Sequence, residues 1–186
     1  MTSFLIIDTP IIGLKVIQRK PIGDGRGYLA RIFCADQLKN AGWQKTIAQI
    51  NQTVTKKRGT IRGMHFQNTP YAEMKLVSCL QGEIWDVAVD LRKNSPTFLQ
   101  WYAEKLTSEN CRALLIPEGF AHGFQTLSDN CELIYLHSAP YFREAEAGIR
   151  SNDPMLNISW PLEFFEISTR DLEYPLLSEQ FTGIEL

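Results

Sequence analysis

An all-β fold, a sandwich or barrel of many short strands, follows from three observations. Short runs rich in β-branched and aromatic residues recur along the chain at fairly regular spacing. Turn-forming segments separate them, among them GDGRG, KKRG, QG, KNSP, PEGFAHG and SDN. The stretch Ile84–Leu91 is apolar on both faces, as a strand packed between two layers requires. In chain order the expected strands are LKVIQR (14–19), GYLARIF (27–33), KTIAQINQTVT (45–55), TIRGMHFQ (60–67), KLVSCLQ (75–81), EIWDVAVDLR (83–92), LQWYAEKL (99–106), RALLIP (112–117), GFQTL (123–127) and CELIYLHSA (131–139). ADQLKNAG (35–42) reads as one short helix ended by Gly42. STRDLEYPLL starts with a helical turn capped by Ser168 or Thr169.

The 186 residues fit one domain, 1–186, with no repeat, low-complexity tract or linker-like shift in composition. Lys plus Arg is 19 and Asp plus Glu is 21, a net charge of −2. That balance offers nothing to attract nucleic acid or an anionic membrane. FLIIDTPIIGL near the start is apolar, but Asp8 and Pro10 interrupt it and no basic residue precedes it. Cys34, Cys79, Cys111 and Cys131 are widely spaced, with no CxxC pair. The expectation is four reduced thiols in a cytoplasmic protein with neither a nucleic-acid nor a membrane partner.

Several motifs are absent or incomplete. GDGRGY (23–28) lacks the third glycine of a dinucleotide loop and leads into a strand. None of the three histidines has a second histidine two residues away, so a small-barrel metal site is not expected. Any chemistry then rests on acid–base side chains. His65 in TIRGMHFQ invites that reading, although a histidine on a strand is also a common core residue. Strict alternation puts Gly63, His65 and Gln67 on one face and Arg62, Met64 and Phe66 on the other. A bulge at Gly63 would let Arg62 reach the same side as His65. Leu133, Tyr135 and His137 share a face by the same rule.

The segments GDGRGYL, QINQTVTKKRGTIRGMHFQ, KLVSCLQGEIWDVAVDLRKNSPTF, IPEGFAHGFQTLSD, LIYLHSAPY, NDPMLNISWP and STRD occur in this order. Together they resemble the dTDP-4-dehydrorhamnose 3,5-epimerase family, over roughly residues 10 to 175. The resemblance implies a jelly-roll (cupin-like) β-barrel with a few short helices, a homodimer, and a nucleotide-diphosphate sugar as substrate. It implies no metal and no organic cofactor. In residues, it implies that His65 is the general base and Asp171 the carboxylate that orients it, a contact that general chemistry expects on Nδ1–H. Tyr135 is the corresponding acid, and Lys75 the cation near the C4 oxygen of the sugar. Arg62 and His122 match groups near the diphosphate. Gln49 and Asn51 match the sugar pocket, Tyr141 a tyrosine near the nucleotide, and Arg26 a nucleotide contact delivered across a dimer interface. His137 matches no functional position and is read as structural.

The chemistry suits these groups. A hydrogen beside a ketone is acidic because its anion delocalises onto the carbonyl oxygen, and both C3–H and C5–H of a 4-keto sugar qualify. Inversion needs a base on one face, an acid on the other, and a donor for the developing enolate oxygen. Two positions depart from the family pattern: Leu29 replaces an aromatic residue and Arg31 a glutamate. An arginine cannot accept a hydrogen bond from a thymine imide, so the nucleotide base stays open. Inversion at C3 alone, inversion at C5 alone, and a non-catalytic sugar-nucleotide-binding barrel are the competing readings.

Overall fold

The computed structural model describes residues 3–186. Two sheets face each other. The first has the order β1 (Phe4–Asp8), β2 (Lys15–Arg19), β10 (Arg112–Ile116), β7 (Lys75–Gln81), β12 (Cys131–His137) and β5 (Gln49–Thr55). The second has the order β13 (Glu146–Gly148), β6 (Thr60–Gln67), β11 (Phe120–Thr126), β8 (Glu83–Asp90) and β9 (Trp101–Thr107). The short strand β14 (Glu166–Ile167) pairs in parallel with β6, and all the other pairings are antiparallel. A separate hairpin is formed by β3 (Ile22–Asp24) and β4 (Gly27–Leu29). From β5 onward the chain passes repeatedly from one sheet to the other, giving a jelly-roll, cupin-like arrangement.

The central strands of each sheet are covered on both faces and read apolar, whereas the edge strand β5 is polar and largely exposed. Between the sheets, Val77, Leu114 and Leu133 meet Ile84, Ala88 and Phe124, all buried. Outside the first sheet, Leu38 and Trp43 pack on Ile17, Leu76 and Leu136. Outside the second, Leu156 and Ile184 cover Met64, Val87 and Val89. Burial of such side chains contributes about 1.5–3 kcal/mol each and is the main force holding the layers together.

Several boundaries differ from the sequence expectation, for physical reasons. The strand expected over 27–33 stops at Leu29, because Ile32 and Phe33 turn in to pack near Trp43, with Phe33 edge-on to its ring at 5.5 Å. The strand expected over 45–55 starts at Gln49, opposite His137, where its partner β12 ends. β11 begins earlier than expected, at Phe120, because Asp90 of β8 pairs with it. β1 lies in the apolar stretch that Asp8 and Pro10 interrupt, and pairs with β2. Residues 35–42 form a short α1 (Ala35–Leu38) and a 3-10 turn (Lys39–Ala41), closed by Gly42 at φ 106°. At the other end α2 (Thr169–Glu173) is capped by Ser168, whose Oγ accepts the Asp171 N–H at 3.1 Å.

The bulge expected at Gly63 is present. His122 pairs with His65 and Phe124 with Arg62, so β6 carries one residue more than β11 over this interval. Gly63 sits at φ 120°, and a Cβ there would lie 2.5 Å from the Gly123 Cα. The extra residue turns Arg62 and His65 to the same side while Met64 stays in the outer core.

Candidate active site

A cavity of about 520 Å³ opens between the sheets. The second sheet contributes Arg62, His65 and His122, and the first contributes Asn51, Lys75, Tyr135 and His137. Asp171 and Arg170 reach its wall from α2. Polar groups from both sheets therefore converge on one concave space within an apolar frame.

His65 and Asp171, 106 residues apart in the chain, are in contact: His65 Nε2 lies 2.7 Å from Asp171 Oδ1. The Gly63 N–H donates to the other carboxylate oxygen at 3.1 Å. Asp171 is 3% exposed. Burial works against its ionisation, yet the bonds from His65 and from the Gly63 N–H hold its carboxyl below the usual range. The contact uses Nε2, where the sequence reading placed it on Nδ1. The carboxylate lies alongside β6 at Gly63 and meets the far edge of the ring. Nε2 is the nitrogen engaged, so Nδ1 is the one left for proton transfer. Tyr174 packs edge-on against the imidazole, ring centres 5.8 Å apart.

Across the cavity, burial pushes the Tyr135 phenol far above its ordinary value, and the Asp86 carboxylate adds to that push. His122 donates through Nε2 to Asp86 Oδ1 at 2.8 Å, with both side chains buried. Arg62 donates through Nε to Thr55 Oγ1 at 3.0 Å. The Lys75 ammonium, almost fully buried, lies 3.0 Å from Glu73 Oε1 and donates to the His65 carbonyl at 3.3 Å.

The remaining sequence-selected residues lie elsewhere in the single chain. Gln49 accepts the Tyr141 N–H at 3.0 Å, and Tyr141 donates its hydroxyl to Glu146 at 2.9 Å. Neither side chain lines the cavity. Arg26 stands at the exposed tip of the β3–β4 hairpin, bound to both oxygens of Asp24. Gln67, placed on the His65 face by alternation, lies beyond the cavity and is buried among backbone groups of Tyr71, Pro140 and Phe142.

His137 is where the structural reading falls short. Two residues beyond Tyr135 on the same strand face, it lines the cavity and stacks on that tyrosine, centres 6.1 Å apart. Burial, with help from the neighbouring Lys75 and His122, pushes its pKa down to about 4, so it is neutral near pH 7. Arg170 was also missed; its guanidinium lies 3.3 Å from His65 Nε2 and bonds Glu146 at 3.0 Å. Its adjacency to Asp171 was the available signal. Among the described residues, no group of three or more His, Cys, Asp or Glu side chains is placed to hold a metal ion.

A family model described as dTDP-4-dehydrorhamnose 3,5-epimerase matches residues 8–179. A dTDP-4-dehydrorhamnose 3,5-epimerase of Shigella flexneri is 42% identical over 168 residues, 90% of this chain and 92% of that protein. The structure of a dTDP-6-deoxy-D-glucose-3,5-epimerase from Legionella pneumophila, in complex with dTDP-4-keto-L-rhamnose, superposes with a TM-score of 0.89 at 40% identity, covering 93% of this chain and 92% of that one. That of a dTDP-4-dehydrorhamnose 3,5-epimerase from Bacillus anthracis, with TDP and PPi bound, gives a TM-score of 0.91 at 38% identity, covering 94% and 100%. With its facing sheets, its His65–Asp171 contact and these matches, the chain belongs to the dTDP-4-dehydrorhamnose 3,5-epimerase family.

Proposed function

We propose that the protein inverts C3 and C5 of dTDP-4-dehydro-6-deoxyglucose, forming dTDP-4-dehydrorhamnose. The observation that carries this reading is the His65–Asp171 contact, in a cavity that also receives Lys75 and Tyr135 from the facing sheet.

Each half of the reaction uses the same parts. His65 Nδ1 takes the proton from the carbon beside the ketone, and Asp171 on Nε2 stabilises the imidazolium that forms. The bonding pair moves onto the C4 oxygen, where the Lys75 ammonium donates a hydrogen bond; such a donor lowers the barrier by about 3–4 kcal/mol. Tyr135 then protonates the carbon from the other face. Its raised pKa keeps the phenol protonated until the carbanion forms. Solvent returns a proton to the phenolate and takes one from the imidazolium. Arg62 and His122 bind the diphosphate, Arg62 through its planar fork. Asn51 holds the sugar, while Gln49 stands beside the cavity and fixes the backbone of Tyr141.

Arg26 is assigned to the nucleotide site of a second copy. Arg26 does not line the cavity of its own chain, and its hairpin exposes Ile22, Tyr28 and Leu29, which agrees with a homodimer. The four free cysteines agree with a reducing compartment, the cytoplasm.

Product NMR tests the reading. Incubation with dTDP-4-dehydro-6-deoxyglucose is expected to give a sugar inverted at both C3 and C5. Inversion at one carbon only would make the protein a single-site epimerase, and an unchanged substrate would reject the activity.

A further inference from the structure

The Lys75 ammonium is a point charge on a flexible stem, with three N–H donors and little intrinsic direction. One N–H meets the His65 carbonyl at 3.3 Å and a second meets Glu73 Oε1 at 3.0 Å, which leaves one for the cavity. Glu73 itself does not line the cavity, and its side chain is only 8% exposed. Its other oxygen accepts a hydrogen bond from Gln67 Nε2. Gln67 in turn donates to the carbonyls of Tyr71 (3.0 Å) and Pro140 (3.2 Å) and accepts the Phe142 N–H at 2.6 Å. His137 pairs directly with Lys75 across β12 and β7. Its Nδ1 lies 4.0 Å from the Glu73 oxygen that Lys75 holds, and its Nε2 lies 3.5 Å from Asn51 Nδ2. With Asn51 donating to Nε2, Nδ1 carries its proton toward Glu73. The depressed pKa of His137 leaves Lys75 as the cation on this carboxylate.

We propose that Glu73 is a positioning residue for the reaction. Held by Gln67, with His137 packed beside it, it aims the free N–H of Lys75 at the place where the enolate oxygen develops. This rests on the reading of Lys75 as the enolate donor. A bland competitor is a buried ion pair that merely ties β7 to its neighbours, and the two differ in what removal costs. A positioning group lowers kcat through Lys75 with substrate affinity intact, whereas a structural pair lowers stability and dTDP affinity together.

The test is a double-mutant cycle in steady-state kinetics, with dTDP affinity measured for every variant. Glu73→Gln preserves shape and is expected to lower kcat by roughly 10- to 100-fold, with KM and dTDP affinity changed by less than about threefold. Lys75→Met is expected to cost more, and adding Glu73→Gln to it no further activity. A kcat for Glu73→Gln within about twofold of wild type would overturn the proposal. So would losses that multiply in the double variant, or a parallel fall in dTDP affinity. If Glu73→Gln does not fold, His137→Gln takes its place in the cycle. Its smaller loss is expected to vanish beside Lys75→Met, and a loss that persists would overturn the proposal. A wild-type protein that leaves the keto sugar unchanged would reject the functional reading and this inference together, whereas an active wild type with a multiplicative cycle rejects this inference alone.

Discussion

Replacing His65 with alanine is expected to slow epimerisation by about a thousandfold or more, since a positioned general base contributes about 10²–10⁴. The substitution removes the group proposed to take the carbon-bound proton. Arg62 and His122, proposed to bind the diphosphate, stay in place, because Thr55 and Asp86 hold them independently of His65. Affinity for dTDP is therefore expected to stay close to wild type while kcat collapses. Stability is expected to fall by about 1–3 kcal/mol, because the buried Asp171 loses its imidazole partner and keeps the weaker support of Gly63, Ser168 and Arg170. Steady-state kinetics and dTDP titration of the same variant check both parts. Turnover within tenfold of wild type would remove His65 from the base role.

Gly63→Ala is expected to destabilise the protein by roughly 2–5 kcal/mol, combining backbone strain with overpacking. The backbone there sits at φ 120°, and the new Cβ would lie 2.5 Å from the Gly123 Cα and 2.7 Å from the His122 carbonyl. Both neighbours are backbone and cannot rotate away. Relief requires the bulge to shift, which moves His65 and breaks the Gly63 N–H bond to Asp171. Thermal unfolding is expected to drop by about 5–20 °C for a chain of this size. Gly25→Ala in the hairpin tip is the control, because a Cβ there meets nothing within 4 Å. Equal melting temperatures for the two variants would show that the bulge is not sterically locked.

Legibility in the sequence tracks how local the cause is. The octapeptide 60–67 announced both a strand and its bulge, since alternation and an internal glycine are local signals. β13 and β14 are two or three residues long and exist only because β6 offers them a partner, so no local pattern marks them. The His65–Asp171 contact spans 106 residues and could not be read from spacing; the family resemblance suggested the pairing, and the general histidine–carboxylate template put it on Nδ1 where the structure has Nε2. Alternation put His137 on the Tyr135 face correctly, but period two alone does not distinguish a cavity wall from a packed core. For Gln67 the same rule named the face and missed that the strand had already passed the cavity. Arg26, Gln49 and Tyr141 fall outside the cavity of the single chain: Arg26 is bound to Asp24 on the β3–β4 hairpin, Gln49 to the Tyr141 N–H, and Tyr141 to Glu146.

The central claim is that proton removal and proton return occur from opposite sheets, with His65 on one and Tyr135 on the other. Proton NMR of dTDP-4-dehydro-6-deoxyglucose in D2O with Tyr135→Phe tests it most directly. The expected result is loss of inversion at C3 and C5, with any deuterium that enters those carbons doing so in retained configuration, because His65 can return a proton only to the face it came from. Inversion at the wild-type rate, with deuterium in the new configuration, would contradict the claim and require a different acid on that wall.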